Sequence, residues 1–385
     1  MTASSAMVEA LIAEVSAIVQ IEEHTRQAFR AVPRHLFIPP VGQAFTPEGD
    51  HRLIDRDADP DDWWSAVYSD TSVVTQLDDG ATDITDITEG AGECTSSASA
   101  PSTVADLLRW LDPLSGHRVL EVGTGTGWSA ALLTHIVGAG HVTSIEVDRT
   151  IADQAAKNLA AAGLHARLIV GDGAEGFPDQ APYDRVHVTC GVRTVPYAWL
   201  EQCRPGAVIV LPYCPGFGTG HGLRLVVTPD GSAHGRFPGF ASYMMMRSQR
   251  EPADLPPRDL DAEHRLTTTM DPRTIAFAPP GADLAIAALT GLTSVGGYTE
   301  DEEGGLYRLW LSSPADPYSW GTVKWRPHST DYDIYQAGDR PLWDEVTDAY
   351  FRWVSWGKPG RERFGMTVTE EGQRVWLDMP DQVIG

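Results

Sequence analysis

The first hundred residues combine one amphipathic helix with a long segment in which little regular structure is expected. Apolar residues recur with helical spacing, at Val8, Leu11, Ile12, Val15 and Val19. Pro33, Pro39 and Pro40 then interrupt the helical pattern. Residues 42–102 are rich in Gly, Asp, Ser and Thr, which predicts a long irregular segment that covers a site.

From Val104 the chain alternates between amphipathic helices and short apolar strands. The predicted helices are 104–111, 128–137 and 151–162. The predicted strands are 118–122, 141–147, 166–170, 183–189 and 207–211. This alternation predicts an α/β fold whose parallel sheet is flanked by helices. A further strand at 223–228, followed by a turn at 229–231, predicts a terminal hairpin with an antiparallel strand.

The last third of the chain has a different character. Prolines in residues 251–257 predict a linker, and seven of the twelve tryptophans follow it. A helix is predicted with one apolar face, formed by Leu342, Val346, Ala349, Tyr350 and Trp353. A closing hairpin is predicted at 367–377. We therefore divide the chain into an N-terminal helix with a long acidic, substrate-covering loop (1–102), an α/β domain (103–250) and a smaller α+β domain (251–385).

The charge of the chain narrows the choice of partners. The 385 residues carry a net charge of -24 at pH 7, which repels polyanions, so no nucleic-acid substrate is expected. Fourteen Asp or Glu residues and two Arg residues lie between Glu48 and Glu93. That segment is either a solvated acidic loop or a docking surface for a basic substrate.

Composition also bears on compartment and on metals. No apolar run is long enough to span a membrane, and the first twenty residues carry no basic side chain of a secretory signal. The four cysteines form no Cys-x-x-Cys pair, which argues against a zinc site or a disulfide framework. We expect a cytoplasmic protein that binds no metal and no membrane.

Glycines and carboxylates mark the ends of the first three predicted strands. Gly123, Gly125 and Gly127 follow the first strand at alternate positions and open directly into a helix. The carboxylates at the three strand ends are Glu121, Glu146 and Asp172. Glu146 lies where a carboxylate binds ribose hydroxyls, and Asp172 lies where it meets an adenine edge. The glycine spacing is not that of a dinucleotide loop, and no Lys follows it to hold phosphates. The pattern favours an S-adenosylmethionine methyltransferase over a generic nucleotide-binding α/β domain.

Several separate motifs resemble those of the protein-L-isoaspartate O-methyltransferase family. They are the N-terminal signature at 32–39, Tyr68-Ser69-Asp70, Ser97-Ala98-Ser99-Ala100-Pro101, the cofactor loop at 119–128, Gly171-Asp172-Gly173 and Tyr183-Asp184. The resemblance runs from about Glu22 to Arg247. It implies a Rossmann-like class I methyltransferase fold, S-adenosylmethionine as cofactor and S-adenosylhomocysteine as product.

The resemblance also implies which residues form the site. The implied cofactor-binding residues are Ser97, Glu121, Gly123, Thr124, Gly125, Thr126, Gly127, Glu146, Val147, Asp172 and Gly173. Ser99 is expected to contact the acceptor carboxylate or the methyl-donor region, or else to cap the helix that starts near Ser102. Tyr68 and Asp70 are expected to close over the substrate, or else to pack within their loop. Arg34 and His35 either orient the substrate carboxylate or serve in packing.

The chain departs from the family in two places, and the departures bear on its substrate. The interval 71–96 is long and acidic, and about 135 residues are appended at the C-terminus. This arrangement resembles an actinobacterial branch associated with lanthipeptides and graspetides, which implies methylation of an aspartate in a macrocyclic precursor peptide. The ester would then cyclise to an aspartimide or yield isoaspartate, and the appended domain would recognise the peptide.

Three other functions remain open. The first is general repair of isoaspartyl residues in damaged proteins. The second is a cofactor-binding accessory protein without catalysis, and the third is methylation of a small molecule. The oligomeric state and the identity of the precursor peptide stay open.

Overall fold

A computed structural model of the protein describes residues 3–46, 49, 51–86, 92–250, 264–301 and 304–385. The chain divides into two units. The first comprises Met1–Cys190, Pro196–Leu211 and Arg224–Gly231, and the second comprises Gly191–Val195, Pro212–Leu223 and Ser232–Gly385. Residue 251, where the sequence predicts a boundary, falls inside the second unit, and residues 251–263 lie outside the described part of the chain.

The first unit begins with helices and a small antiparallel sheet. Its elements to residue 98 are α1 (Ala3–Ile18), α2 (Glu23–Ala31), β1 (Val41–Phe45), β2 (His51–Asp55), α3 (Pro60–Val67), β3 (Ser72–Leu77) and β4 (Cys94–Ala98). The predicted first helix is confirmed as α1, and Val8, Leu11, Ile12 and Val15 are buried in it. The strand order is β2-β1-β3-β4, and neighbouring strands are antiparallel.

The expectation of an irregular segment at 42–102 was therefore wrong. The segment forms a sheet because its short strands pair with distant partners, as Gln43 on β1 does opposite Val74 on β3. Helix α3 begins there because Pro60 occupies its first turn and Asp59 accepts the backbone N–H of Asp62 at 3.1 Å.

The rest of the first unit is the α/β layer that the sequence predicts. Its elements are α4 (Pro101–Leu111), β5 (Val119–Val122), α5 (Trp128–Val137), β6 (Val142–Glu146), α6 (Arg149–Ala161), β7 (Arg167–Val170), β8 (Tyr183–Val188), α7 (Tyr197–Glu201), β9 (Cys203–Tyr213) and β10 (His221–Val227). Strands β9-β8-β5-β6-β7 are neighbours in that order, and every pair is parallel. All four residues of β5 are buried, as expected of a central parallel strand.

The second unit is built around antiparallel strands and two longer helices. Its elements are β11 (Ala233–Phe240), β12 (His264–Thr268), α8 (Arg273–Ala276), α9 (Pro280–Thr290), β13 (Thr293–Asp301), β14 (Gly304–Ser313), β15 (Asp316–Trp325), β16 (Tyr332–Ala337), α10 (Leu342–Ser355), β17 (Phe364–Thr369) and β18 (Gly372–Leu377). Strands β12-β16-β15-β14-β13 form an antiparallel sheet. The predicted helix and closing hairpin are confirmed as α10 and the β17–β18 pair.

The core of the second unit lies between this five-stranded sheet and the helices α9 and α10. Its fully buried side chains include Ile286, Leu311, Val323, Leu342 and Val346. None of the helices in the described ranges has the length and apolar character that crossing a bilayer requires.

Candidate functional site

The carboxyl ends of β5, β6 and β7 lie at one edge of the parallel sheet. The parallel register places Val122 beside Ile145 and Glu146 beside Val170. The backbone N–H groups of Gly123 and Thr124 both donate to the carbonyl of Ile145, at 2.9 and 3.2 Å. The glycine loop after β5 is thereby fixed to the end of β6, in the position where open α/β sheets bind ligands.

The glycine loop depends on its glycines for both conformation and space. Gly123, Gly125 and Gly127 have φ angles of 94°, 54° and 88°, a region that other residues rarely adopt. A Cβ atom on Gly123 would lie 2.6 Å from the Thr189 hydroxyl, and one on Gly127 would lie 3.3 Å from the Cβ of Ala155. The loop therefore packs too closely for side chains at these positions.

The two threonines of the glycine loop are held by neighbouring elements. The Thr124 hydroxyl is hydrogen-bonded to that of Ser144 on β6 at 2.6 Å. The amide of Asn158 on α6 donates to the carbonyl of Thr126 at 3.0 Å. The loop is thus rigid at both of its non-glycine positions.

Glu121 is a buried carboxyl group at the end of β5. It is 0% exposed, and one of its oxygens accepts the Ser144 hydroxyl at 2.6 Å. Its Oε1 is buried and has no hydrogen-bond partner. Burial raises the pKa of Glu121 to about 8, the charge of Glu146 contributes, and the Ser144 hydrogen bond opposes the rise.

The other two predicted carboxylates lie at the same edge in more open surroundings. Glu146 accepts the N–H of Gly125 at 2.9 Å and that of Asp148 at 3.1 Å. Asp172 is exposed and accepts the N–H of Ala174 at 2.9 Å. Val147, which follows Glu146, is 43% exposed.

Gly173 allows the chain after β7 to lie directly against β5. A Cβ atom at this position would lie 2.4 Å from a methyl group of Val122. The indole N–H of Trp199 donates to the carbonyl of Gly173 at 2.8 Å, which holds the segment in place. The predicted cofactor residues after β7 are therefore brought beside those after β5.

The serine segment 97–99 lies against the glycine loop. The nearest atom to a Cβ built on Gly125 is the carbonyl oxygen of Ser97, at 3.4 Å. Ser97 is on β4, opposite Val74 of β3, and Ser99 follows the strand half-buried. On the other side, the Gln76 amide on β3 donates to Asp148, after β6, at 3.3 Å. The small antiparallel sheet is thus attached to the cofactor edge at two points.

Asp70 supplies the capping function that had been considered for Ser99. Its carboxylate accepts the backbone N–H of Ser102, in the first turn of α4, at 2.7 Å. Asp70 is 3% exposed, and its own N–H donates to the Glu14 carboxylate on α1 at 3.0 Å. Asp70 therefore joins α1 to α4, and its carboxylate is not directed at a substrate.

Tyr68 is packed within its segment. It is 7% exposed, its hydroxyl is hydrogen-bonded to His35 at 2.7 Å, and its ring stacks on Trp64 with centroids 5.9 Å apart. Burial lowers the pKa of His35, which favours its neutral form beside the phenol. Both side chains are engaged with the protein, as the packing alternative for Tyr68 predicts, and a part for Tyr68 and Asp70 in covering the substrate stays a prediction.

Arg34 is equally unavailable to a substrate carboxylate. Its side chain is 1% exposed, and its guanidinium donates to backbone carbonyls, including that of Ser99 at 3.0 Å. Arg34 is therefore packed in the interior, not at the surface where packing had been expected.

Sequence reasoning missed three residues that hold the site together: Ser144, Asn158 and Thr189. The Thr189 hydroxyl at the end of β8 donates to the carbonyls of Val122, at 3.1 Å, and Gly123. No sequence motif marks these residues, because each is hydrogen-bonded to a residue at least twenty positions away in the chain. Among the described residues, no three His, Cys, Asp or Glu side chains are grouped to hold a metal ion.

Comparison with known proteins identifies similarities over much of this unit. The family model for protein-L-isoaspartate(D-aspartate) O-methyltransferase matches residues 66–220. The protein-L-isoaspartate O-methyltransferase of Hyperthermus butylicus is 31% identical over 224 residues, which cover 56% of this chain and 77% of that protein. The enzyme of the same description from Methanosarcina mazei is 32% identical over 194 residues, or 50% of this chain and 64% of that protein. The chain thus spans about two thirds of the length of this relative.

A solved structure resembles the protein over nearly its whole length. It is described as a protein-L-isoaspartate O-methyltransferase, and the alignment covers 97% of this chain and 100% of that chain with a TM-score of 0.54. The sequence identity is 22%, so the similarity is one of fold. The fold predicted from the sequence is therefore confirmed at the level of a class I methyltransferase fold.

Proposed function

Because the chain belongs to the protein-L-isoaspartate(D-aspartate) O-methyltransferase family, we propose that it transfers the methyl group of S-adenosylmethionine to a carboxylate of an isoaspartyl or aspartyl residue in a peptide or protein. The family resemblance inferred from the motifs is confirmed. The family is one of carboxyl O-methyltransferases that use S-adenosylmethionine, in agreement with the enzyme class and cofactor expected from the sequence.

One observation carries the proposal: the serine segment meets the glycine loop. The carbonyl oxygen of Ser97 lies 3.4 Å from the position of a Cβ on Gly125. A cofactor held over the loop would therefore have Ser97 and Ser99 as immediate neighbours. This is the arrangement needed to bring an acceptor group beside a methyl donor.

The residues at the strand ends fit an adenosyl cofactor. The three positive-φ glycines let the chain turn tightly from β5 into α5 without a side chain over the loop. We assign Glu146 to the ribose hydroxyls and Asp172 to an adenine edge, with the exposed Val147 next to Glu146. Glu121 adds a buried carboxyl group beneath the glycine loop, with one oxygen bonded to Ser144.

The transfer itself demands little acid–base chemistry from the chain. When bound, the sulfonium supplies an activated methyl group. An acceptor carboxylate is already ionised at neutral pH, so no general base is needed. A carboxylate oxygen forms the new O–CH3 bond while the electron pair of the S–CH3 bond passes to sulfur. The chain contributes alignment and exclusion of water, and the Ser99 hydroxyl donates to the acceptor carboxylate.

The proposal is tested by methyl transfer to matched peptides. The protein is incubated with S-adenosylmethionine and either an isoaspartyl peptide or its aspartyl counterpart, and mass spectrometry follows the addition of a methyl group. We expect turnover of the isoaspartyl peptide. Ser99→Ala should lower kcat on the order of tenfold, as expected for loss of one hydrogen bond to a charged group. The exposed Ser115→Ala is the control and should leave kcat unchanged.

The assay also separates the other classes of function. An accessory protein would bind S-adenosylhomocysteine but methylate neither peptide. A small-molecule methyltransferase would bind the cofactor and turn over neither peptide, yet consume S-adenosylmethionine when supplied with a metabolite extract. No binding of S-adenosylhomocysteine by calorimetry would refute the proposal altogether.

A second candidate is methylation of an aspartate in a macrocyclic precursor peptide. It is favoured by the acidic interval 71–96, whose described part forms β3, β4 and a loop with Asp78 and Asp79 at φ angles of 45° and 53°. On such a peptide, the backbone nitrogen of the next residue would attack the ester carbonyl and expel methanol, giving an aspartimide. Isoaspartyl methylation is the better supported of the two, since the relatives from Methanosarcina mazei and Hyperthermus butylicus are both described as protein-L-isoaspartate O-methyltransferases. Turnover of a macrocyclic peptide but not of the linear isoaspartyl peptide would reverse this order.

A further inference from the structure

Arg34 is a buried cation that forms no salt bridge with any described carboxylate. Its side chain is 1% exposed, and burial lowers its pKa to about 10, so it stays charged at neutral pH. A buried charge has to be hydrogen-bonded. The Arg34 Nε finds no partner among the described residues, but both terminal nitrogens do. Here Nη1 donates to the carbonyls of Val67 and Ser69, and Nη2 donates to those of Thr71 and Ser99.

These four carbonyls belong to two separate segments of the site. Val67, Ser69 and Thr71 alternate with Tyr68 and Asp70, and their distances to the guanidinium are 2.8, 3.4 and 2.8 Å. The Ser99 carbonyl, 3.0 Å away, belongs to the serine segment. One side chain therefore holds together two stretches that are about thirty residues apart in sequence.

The same guanidinium also contacts the cofactor side of the site. Its central carbon lies 5.3 Å from the centre of the Trp128 ring, a cation–π contact. Trp128 is the first residue of α5 and directly follows Gly127 of the glycine loop. The indole N–H of Trp128 in turn donates to the carbonyl of Val32, two residues before Arg34, at 3.4 Å. Arg34 is thus anchored to the element that begins at the cofactor loop.

We infer that Arg34 is a positioning residue: it fixes the 67–71 segment and Ser99 relative to the glycine loop and so sets the alignment of the acceptor with the methyl donor. The inference rests on the proposed function, because it assigns Arg34 a part in that reaction. Arg34 touches neither reactant, since its donors are directed at backbone carbonyls. A displacement of about 1 Å in a reacting group can cost on the order of a hundredfold in rate, so a residue that only positions others still matters for kcat.

Lysine is the informative replacement. A guanidinium offers donors in a planar fork. Here Nη1 reaches two carbonyls of the 67–71 segment, and Nη2 reaches a third carbonyl of that segment together with that of Ser99. A lysine ammonium keeps the charge but has a single nitrogen, so it cannot contact all four carbonyls at once. Arg34→Lys therefore preserves the electrostatics while loosening the connection.

Arg185 provides a matched control in the same unit. It also donates to backbone carbonyls, to that of Leu111 at 2.7 Å and to that of Asp184 at 2.9 Å. It lies half-buried on β8, away from the serine segment and the glycine loop. Arg185→Lys thus reports what the loss of an arginine–carbonyl cluster does to stability alone.

The test measures three quantities on the full chain with Arg34→Lys and Arg185→Lys: S-adenosylhomocysteine affinity, steady-state kinetics and hydrogen exchange. We expect Arg34→Lys to bind S-adenosylhomocysteine within about twofold of the wild type and to lower kcat on the order of a hundredfold well below its melting temperature. Amides at 67–72 and 97–102 should exchange faster, while those of the glycine loop do not. Arg185→Lys should keep kcat and the exchange of both segments unchanged.

Two results would overturn the inference. One is unchanged exchange at 67–72 and 97–102 in Arg34→Lys. The other is an equal loss of kcat in both arginine variants, which would mean that kcat follows stability alone. Hydrogen exchange is measured without turnover, so a wild-type protein that methylates no peptide refutes the proposed function while the exchange data still decide whether Arg34 holds the two segments.

Discussion

Glu121→Gln tests the buried carboxyl group at the end of β5. The folded protein holds Glu121 with a pKa of about 8, against an ordinary value of 4.5. Below pH 4.5 both folded and unfolded chains carry the proton. Between pH 4.5 and 8 the unfolded chain has lost it and the folded chain keeps it, so the free energy of unfolding falls as pH rises. Glutamine removes this titration while keeping the shape of the side chain.

The size of the expected change in the free energy of unfolding follows from the pKa shift of Glu121. Each pH unit between pH 4.5 and 8 lowers the free energy of unfolding by about 1.4 kcal/mol. From pH 5.5 to 7.5 the wild type should therefore lose about 3 kcal/mol more than Glu121→Gln. His187 has the opposite effect on the pH dependence of the free energy of unfolding. Burial lowers its pKa to about 4, so between pH 4 and 6.5 the chain takes up a proton when it unfolds, and stability rises with pH. The histidine is common to both proteins, so the difference between them isolates Glu121.

The assay is urea denaturation at pH 5.5, 6.5 and 7.5, with the exposed Glu201→Gln as the control. The control should follow the wild type at every pH. Parallel pH profiles for the wild type and Glu121→Gln would refute the reasoning, because they would mean that the folded protein does not hold the Glu121 proton.

Three further substitutions test the loop and the cap. Gly123→Ala puts a methyl group 2.6 Å from the Thr189 hydroxyl and should weaken S-adenosylhomocysteine binding at least tenfold by calorimetry, whereas Gly163→Ala, also at positive φ but in open space, should not. Thr189→Val removes a hydroxyl that holds the loop and should weaken the same binding severalfold, with Thr189→Ser close to wild type; equal affinities would contradict this role. Asp70→Ala removes the carboxylate that accepts the Ser102 N–H and should lower the free energy of unfolding, measured by urea denaturation, by about 1–2 kcal/mol. Asp70→Asn should lower it less, and an unchanged urea midpoint for Asp70→Ala would exclude the capping role.

The α/β layer could be predicted closely because its signals are local. Helix α5 was predicted at 128–137 and has those bounds, and β5 was predicted within one residue. Continuous apolar runs mark buried parallel strands, and glycines mark the turns between them. The carboxylates at the strand ends follow from the same pattern, since they need only the strand bounds to be placed.

The small antiparallel sheet could not be predicted in the same way. Strand β4 consists of Cys, Thr, Ser, Ser and Ala, which carries no strong strand signal, and its partner β3 is separated from it by an acidic loop. Pairing over such a distance is set by tertiary contacts rather than by local propensity. The irregular composition of the segment was therefore mistaken for an irregular structure.

Side-chain partners at the site were equally hidden from the sequence. Arg34 and Asp70 lie in motifs that favour contact with a substrate. In the structure, however, each is hydrogen-bonded to a backbone group, 65 residues away for Arg34 and 32 residues away for Asp70. A sequence shows which residues are chemically able to bind a carboxylate, but it does not show whether the fold has already used their donors or acceptors.

The bond from the Asp70 N–H to Glu14 connects the first helix to the proposed acceptor side of the site. Helix α1 contributes no residue to the cofactor edge, but Glu14 is bonded to the residue that caps α4. Proteolytic clipping within the first twenty residues would then leave the cofactor-binding core folded while loosening the acceptor side. Preparations with a ragged amino terminus would bind S-adenosylhomocysteine at full stoichiometry and still give a low specific activity, so intact mass should be checked before any turnover number is interpreted.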